Sequence, residues 1–305
     1  MNWPADKTEF FKELGQLAHE HGVNLYLVGG AVRDLFLKRE TLDIDLMVEG
    51  DAVKFVERLM ARWAKLFAYI GEPKTPTIFA KFGTVKVDFH GIDVNWLWNL
   101  DFCSARQEKY ATPGAQPTVS AGTLANDMAR RDFSINALAI SLQPDTFGSI
   151  IDYFNGMDHL RKKVIHILHE RSFFDDPARI LRAYRYATRL EFFFSPETQE
   201  QLNVAIENNA LANLPRFRLF DEWRKLLSED CAQQIIERLQ EAKVLEQISP
   251  LFSYESSRFS QVAGGVWQQK LACLYEQRGI AEIETELSSF GLKGKPLEAI
   301  IAYLR

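Results

Sequence analysis

The feature that most limits the folds open to this chain is a change in hydrophobic periodicity at its midpoint. Before Asp152, short stretches alternate between apolar and polar residues with a period of two, as over residues 42–48 and 84–89. After Asp152 the apolar residues recur at helical spacing, with breaks near prolines and near the glycine pair at 264–265. Strand signals followed by helix signals indicate domains of different kinds. The sequence therefore predicts an α/β first part and an all-α remainder.

The composition narrows the class of protein further. Of 305 residues, 36 are Lys or Arg and 41 are Asp or Glu, so the net charge is 36 − 41 = −5, and 47% are hydrophobic. These values are typical of globular proteins and exclude a disordered chain, a collagen and a coiled-coil rod. Three widely separated cysteines, no apolar run of membrane length and no signal peptide predict a soluble protein of the cytoplasm that does not bind membranes.

Two aspartates lie on one predicted strand, residues 42–48. Asp43 and Asp45 are two positions apart, so their side chains project from the same face. Neighbouring carboxylates repel each other, and either protonation or a divalent cation relieves this; oxygen-only ligands suit Mg²⁺. Such a pair is typical of sites that hold two Mg²⁺ ions for displacement at phosphorus. Half-exposed strand edges also show this spacing, so a site without chemistry is the alternative.

A glycine pair precedes these aspartates. Gly29 and Gly30 follow the predicted strand at residues 25–28 and open a predicted helix that contains Arg33. Glycine lets the backbone approach a phosphate, a helix N-terminus favours an anion, and arginine binds phosphate as a fork. No Gly-Lys-Ser/Thr follows, so the segment is not a P-loop. The alternative is a tight strand-to-helix turn with no ligand.

A second charged block lies at Arg130, Arg131 and Asp132. Two arginines can hold a charged ligand, and the aspartate beside them can accept hydrogen bonds from ribose hydroxyls. A cluster of surface salt bridges, which contributes little free energy, is the alternative. Between the aspartates and this block, the sequence predicts one or two strands over residues 92–102 and a long surface loop over residues 104–122.

A third block begins at Asp175-Asp176-Pro177, where Pro177 suits the first helical position and Asp176 the N-cap. The helix that follows carries arginines spaced so that they share one face. These are Arg179, Arg182, Arg185 and Arg189. An Asp beside an Arg can offer acceptor and donor edges to a nucleobase. The alternative is a solvated basic helix with Asp176 as a plain cap.

The three blocks, in this order, resemble the class II tRNA nucleotidyltransferase and poly(A) polymerase family. The resemblance covers residues 25–192 and continues more faintly over residues 216–227. It implies an α+β fold, with a polymerase-β-type nucleotidyltransferase head that has a mixed sheet, followed by all-α neck and body domains. The expected domains are a catalytic head at residues 1–145, a base-recognising neck at 146–215 and a body at 216–305.

The resemblance also implies a role for each motif residue. Asp43 and Asp45 would be Mg²⁺ ligands, and Asp101 would be the third catalytic carboxylate, with Asp88 as its rival. Asp176 and Arg179 would read the base. The remaining nucleotide-binding residues, which would hold the triphosphate and ribose or support the base readers, are Gly29, Gly30, Arg33, Arg130, Arg131, Asp132, Arg182 and Arg185.

The implied activity is transfer of C and/or A from CTP or ATP to the tRNA 3′ end, without a nucleic-acid template. The loop at residues 111–117 lacks the basic residues of many complete CCA-adding enzymes, which favours a CC-adding or an A-adding subtype. A poly(A) polymerase is the first alternative, and a non-catalytic RNA- or nucleotide-binding protein on the same scaffold is the second. The sequence does not determine the oligomeric state.

Overall fold

The computed structural model describes residues 5–39, 43–67, 70–80, 83–89, 99–109, 118–275 and 278–304. The described residues up to Lys162 form one compact unit, and those from Lys163 onward form another. Residues 92–98 of the strand region predicted over residues 92–102, and residues 110–117 of the loop predicted over residues 104–122, lie outside the described residues.

The first unit mixes strands with helices, as the alternating periodicity predicts. Its elements are α1 (Ala5–Glu20), β1 (Asn24–Val28), α2 (Gly30–Phe36), β2 (Asp43–Glu49), α3 (Ala52–Leu66), β3 (Thr77–Phe79), β4 (Thr84–Asp88), β5 (Asn99–Ser104), β6 (Arg106–Lys109), β7 (Thr118–Ala121), α4 (Leu124–Ala129), β8 (Leu138–Ser141), β9 (Ile150–Asp152) and α5 (Gly156–Lys162).

Seven of the described strands form one sheet in the order β3-β4-β5-β2-β1-β8-β9. The central strands β2 and β5 run parallel. The other neighbouring strands run antiparallel. This confirms the mixed sheet, and it places the strand with the aspartate pair in the middle, where both of its edges are hydrogen bonded.

The alternation along β2 gives the sheet two different faces. Ile44, Leu46 and Val48 are fully buried on one face, which α3 covers through contacts such as Phe55 with Phe102, whose ring centroids are 5.8 Å apart. Residues one position away project to the opposite face, which carries Asp45. We call this opposite face the site face.

Two differences from the sequence prediction concern the end of this unit and its loop. The head was expected to end at residue 145, but β9 pairs with β8 as the edge strand of the sheet, so residues 150–152 belong to the first unit. Part of the predicted loop over residues 104–122 forms the paired strands β6 and β7. Its abundant turn-forming residues hide these strands, which are only four residues long.

Among the described residues of the second unit, the regular elements are helices apart from two short strands. Its elements are β10 (Val164–Ile165), α6 (Ser172–Asp175), α7 (Ala178–Leu190), β11 (Phe193–Phe194), α8 (Pro196–Glu207), α9 (Arg216–Leu227), α10 (Ala232–Glu241), α11 (Leu245–Ile248), α12 (Ser256–Ser260), α13 (Trp267–Leu274), α14 (Ile280–Ser289) and α15 (Lys295–Leu304). The parallel pair β10 and β11 is absent from the prediction because two residues are too few to show a period. The division of this unit into neck and body remains a prediction.

Helix α7 lies at the centre of the second unit, packed on α9 and α10. Its apolar residues Ile180, Leu181 and Tyr184 are buried, as the helical spacing predicts. The helix ends at Glu191, whose left-handed backbone (φ 58°, ψ 46°) stops the helical hydrogen bonding. None of the described helices has both the length and the apolar composition needed to cross a bilayer.

Candidate active site

The carboxylates of the site face lie on the two parallel strands. In the register of β2 and β5, Asp45 is directly opposite Asp101, and Asp43 is opposite Asn99. Hydrogen-bonded strands are about 4.8 Å apart, so directly opposite side chains are near enough to share one ion. Asp45 and Asp101 are both half-buried, which keeps their face of the sheet within reach of a ligand.

The rival third carboxylate, Asp88, is placed differently. It lies on β4 opposite Asn99, and its Oδ1 is 3.8 Å from Lys86 Nζ. The strand register therefore favours Asp101 over Asp88 as the partner of Asp45. No three His, Cys, Asp or Glu side chains among those described form a cluster for a metal, and the side chain of Asp43 is not among those described.

The turn between β1 and α2 brings two of the sequence blocks together. Gly29 has φ 71° and ψ −136°, a conformation that side chains rarely allow. A Cβ placed on Gly29 would lie 2.7 Å from Arg131 Nη1 and 3.4 Å from Asp45 Oδ2. Glycine is therefore required here both by the backbone and by the space. Because Gly29 has no side chain, the backbone turn, the Asp45 carboxylate and the Arg131 guanidinium come close together.

The Arg33 side chain is buried within a network of hydrogen bonds. Its Nε and Nη2 donate to the carboxylate of Asp34, both at 2.8 Å, and its Nη1 donates to Asn136 Oδ1 at 2.7 Å. Asn136 Nδ2 in turn donates to Asp132 Oδ1 at 2.9 Å. The network therefore fixes two of the predicted nucleotide-binding residues, Arg33 and Asp132, relative to each other.

The double arginine is organised by a residue that the sequence analysis did not select. Asp127, on α4, is fully buried. Arg130 donates to its Oδ1 from Nε at 2.9 Å and from Nη2 at 2.6 Å, and Arg131 donates to its Oδ2 from Nη2 at 3.0 Å. The interpretation as a surface salt-bridge cluster is therefore wrong. The signal was present in the sequence, because Asp127 precedes the arginines by three and four positions.

A second carboxylate, on β6, supports Arg130. Glu108 on β6 lies 3.1 Å from Arg130 Nη1 and 2.9 Å from Arg106 Nη2. Burial opposes the charge on Arg130, but Asp127 and Glu108 outweigh it and raise the pKa of this guanidinium. Burial first, and then the charge of Asp127, raises the pKa of the nearby Cys103 thiol to about 11. Cys103 is therefore a protonated, unreactive thiol at neutral pH.

In the second unit, Asp176 is held by both its own helix and a distant one. Its backbone is extended (φ −135°, ψ 93°), and its Oδ1 accepts from the Ala178 amide at 3.3 Å, so the predicted capping contact is present although α7 begins at Ala178. Arg218 Nη2 donates to both oxygens, at 3.0 and 3.1 Å. No local signal indicates Arg218, because it lies 42 residues further along the chain.

The other predicted base reader, Arg179, is buried in the same unit. Its Nη1 donates to Ser172 Oγ at 2.7 Å, and Ser172 is itself fully buried on α6. The Arg179 amide donates to the Asp176 carbonyl at 3.0 Å. The start of α7 thus places the carboxylate of Asp176 and the guanidinium of Arg179 on one turn of chain, each with a fixed partner.

The remaining arginines of α7 pair with protein carboxylates and are partly or fully buried. Arg182 lies 3.6 Å from Glu222 on α9, and Arg185 lies 3.7 Å from Glu222 and 3.3 Å from Glu229. Arg182, Arg185 and Arg189 also surround the ring of Tyr186, at 5.0 to 5.5 Å from its centroid. The alternative of a solvated basic helix is therefore wrong. This face joins α7 to α9 within the second unit.

The sequence matches two family descriptions, "Poly A polymerase head domain" over residues 25–166 and "Probable RNA and SrmB- binding site of polymerase A" over residues 191–255. An A-adding tRNA nucleotidyltransferase of Aquifex aeolicus (strain VF5) is 40% identical over 75% of this chain, which spans 26% of that relative. A CC-adding tRNA nucleotidyltransferase of Deinococcus radiodurans is 35% identical over 67% of this chain and 50% of the relative.

Solved structures support the same relationship. A tRNA nucleotidyltransferase complexed with a primer tRNA and an incoming ATP analog superposes with a TM-score of 0.75 at 31% identity, over 95% of this chain and 82% of that one. The order of the motifs, the mixed sheet and the similar proteins all indicate the same family. The chain therefore belongs to the family of tRNA nucleotidyltransferases and poly(A) polymerases.

Proposed function

We propose that this chain transfers A from ATP to the 3′ end of tRNA without a nucleic-acid template, releasing pyrophosphate. The single observation that carries the proposal is the meeting of Gly29, Asp45 and Arg131, which puts a bare backbone turn between a carboxylate and a guanidinium. The bare backbone turn and the guanidinium suit the anionic oxygens of a triphosphate, and the carboxylate suits the metal ion that accompanies it.

The carboxylates of the site face indicate which cofactor the reaction would use. Asp45 and Asp101 offer only oxygen donors, which is the donor set that Mg²⁺ prefers, so these residues fit the ion; Asp43 would be a further ligand. A bound Mg²⁺ would neutralise charge at the α-phosphate and lower the pKa of the attacking 3′-hydroxyl. Arg131 and Arg130 would hold the triphosphate, and Arg33, fixed through Asn136, would keep Asp132 in place for the ribose.

The choice of base would fall to Asp176 and Arg179. An ionised carboxylate only accepts hydrogen bonds and a guanidinium only donates them. Adenine and cytosine both carry an exocyclic amino donor, N6 and N4 respectively, which a carboxylate oxygen accepts. Arg182 and Arg185 would support the base readers by fixing α7 against α9 through Glu222.

The A-adding subtype is favoured by the relative from Aquifex aeolicus, which is 40% identical. The relative from Deinococcus radiodurans favours the second candidate, addition of CC, at 35% identity. The chain spans only part of each relative, so its activity, its tRNA and nucleotide substrates and a cytoplasmic location are proposed together.

Primer extension with purified protein and Mg²⁺ tests the proposal. Three tRNA transcripts, ending before CCA, after C and after CC, are each given CTP, ATP or both. We expect one A to be added to the transcript that ends in CC, and no product on the other two. Addition of C to the shorter transcripts would instead establish the CC-adding or complete CCA-adding activity.

Two further outcomes would contradict the proposal. Long A tails on every transcript would establish the poly(A) polymerase alternative. No incorporation on any transcript, with nucleotide binding intact, would leave the non-catalytic binding protein as the function of this chain.

A further inference from the structure

Asp176, the carboxylate expected to read the base, is paired with an arginine at the start of α7. Arg218 reaches Asp176 from α9, and a single nitrogen of its guanidinium, Nη2, contacts both carboxylate oxygens at 3.0 and 3.1 Å. Both side chains are partly buried, with 27% of Arg218 and 16% of Asp176 exposed. Water therefore screens this pair less than it screens an exposed one.

Together, the contacts of Asp176 restrict how its carboxylate can turn. Oδ1 accepts from the Ala178 amide at 3.3 Å and from Arg218, whereas Oδ2 accepts from Arg218. A carboxylate rotates easily about its last bond unless both oxygens are engaged. With Arg218 in place, the plane of the group is fixed, and Oδ2 can accept a further hydrogen bond along a defined direction.

We propose that Arg218 is a positioning residue that fixes the Asp176 carboxylate so that it accepts the exocyclic amino group of ATP or CTP and rejects the carbonyl of GTP or UTP. The inference rests on the proposed function. Adenine and guanine differ at this position, as do cytosine and uracil, because an amino donor is replaced by a carbonyl acceptor. When the Asp176 oxygen is fixed opposite the carbonyl of guanine or uracil, two hydrogen-bond acceptors face each other, which is unfavourable. A carboxylate that is free to rotate could turn its oxygens away from that carbonyl.

The test compares Arg218→Gln with the unchanged protein. We expect the preference for ATP over GTP, or for CTP over UTP, to fall by about tenfold or more in kcat/KM, because a fixed hydrogen-bonding site discriminates strongly. The kcat for the preferred nucleotide should change by less than about threefold, since Arg218 touches neither the reacting atoms nor the head carboxylates. Arg218→Lys should restore most of the preference, because one nitrogen makes both contacts.

Arg224→Gln is the matched control. Arg224 is on the same helix and also pairs with an aspartate, Asp221, at 3.0 Å, but 44% of it is exposed. Its substitution should leave the nucleotide preference unchanged. A melting temperature recorded for every variant separates a loss of preference from a loss of folding.

A double variant tests whether the effect passes through Asp176. Once Asp176→Asn has removed the carboxylate, adding Arg218→Gln should lower the preference by less than about twofold, since coupled residues are not additive. An unchanged preference in Arg218→Gln alone would overturn the inference. An equal loss of preference when Arg218→Gln is added to the unchanged protein and to Asp176→Asn would also overturn it. A lower KM for the nucleotide with unchanged preference would overturn it too, because Arg218 would then compete with the base for Asp176.

The proposed function and this inference fail in different ways. If the unchanged protein transfers no nucleotide, the proposed function is wrong, and equilibrium dialysis with labelled ATP and GTP then decides the role of Arg218. If the dissociation constants for ATP and GTP differ less in Arg218→Gln than in the unchanged protein, positioning is supported. If their ratio is the same in both proteins, the inference is overturned.

Discussion

Arginines pair with carboxylates in both units of the molecule, but the units differ in how deeply the acid and the arginine of each pair are buried. In the first unit the carboxylate is enclosed: Asp127 is fully buried, whereas 19% of the Arg130 side chain and 16% of the Arg131 side chain are exposed. In the second unit the acids keep 10% and 15% exposure, and one arginine is enclosed as fully as its acid: 11% of Arg185 and 10% of Glu222 are exposed. The first arrangement leaves cationic edges for a ligand. The second joins two helices.

This difference shows why arginine spacing alone does not locate a binding site. The four arginines of α7 form the most regular basic pattern in the sequence, yet Glu222 and Glu229 engage three of them, Arg182, Arg185 and Arg189. In the shorter Arg130-Arg131 pair, Arg131 lies beside the Gly29 turn and the Asp45 carboxylate. The position of the buried acid, rather than the number of cations, distinguishes the two regions.

Asp45→Ala should produce the largest change in activity. The substitution removes an oxygen ligand from the pair on β2 and β5 and leaves the apolar face of the sheet intact. We expect nucleotide transfer to fall by about a thousandfold or more, with tRNA binding retained. Asp145→Ala, at an exposed position of the same unit, is the control. Turnover near that of the control would show that Asp45 is not a metal ligand.

Asp127→Asn should produce the largest change in stability and tests the comparison directly. It keeps the shape of the side chain but removes the one buried charge between Arg130 and Arg131. We expect the free energy of unfolding in urea to fall by about 3 kcal/mol. Glu229→Gln in the second unit, where the contacts with Arg185 and Arg189 are 3.3 and 3.4 Å, should cost about 1 kcal/mol. Equal losses would mean that the two regions do not differ as described.

Gly29→Ala, compared with Gly22→Ala, distinguishes the backbone strain at a positive φ from the loss of the close approach of Arg131 to the turn. Gly22 also has a positive φ, 67°, but a Cβ there would meet nothing within 4 Å. Gly22→Ala should therefore cost about 1 kcal/mol of stability and no activity. Gly29→Ala should cost at least as much, and it should also lower kcat/KM by about tenfold, because the methyl group displaces Arg131. Unimpaired kcat/KM in Gly29→Ala would show that this close approach does not serve the reaction.

The sequence predicts the first unit well where alternation is strong. The period-two stretch at residues 42–48 is β2 within one residue, and residues 84–89 contain β4. Burial alternates along the whole of β4, and along β2 the half-buried Asp45 and Glu49 share a face with the buried Met47. It does not predict β6 and β7, whose residues alternate weakly among turn formers. It also ends the head too early, because the edge strand β9 has only three residues.

The candidate site could be predicted only as far as local motifs reach. The aspartates, the Gly29 turn and the arginine pair stand in short recognisable stretches. Their buried partners do not: Arg33 meets Asn136 across 103 residues, and Asp176 meets Arg218 across 42. Such partners follow from tertiary packing, which a single sequence does not specify. Asp127 is the exception, since its helical spacing to the arginines was visible.

Ser172→Ala should have the smallest effect and tests how the second unit fixes its base reader. Arg179→Ala removes the guanidinium, and we expect it to blur the choice between CTP and ATP more than it slows the reaction. Ser172→Ala removes only the hydroxyl that accepts from Arg179 Nη1 at 2.7 Å, so its effect on the same ratio should be about threefold. Competition between the two nucleotides in one reaction measures the ratio. If Ser172→Ala blurred the choice as much as Arg179→Ala, the hydroxyl would be as necessary as the charge, and the second unit would depend on fixed partners as strictly as the head does.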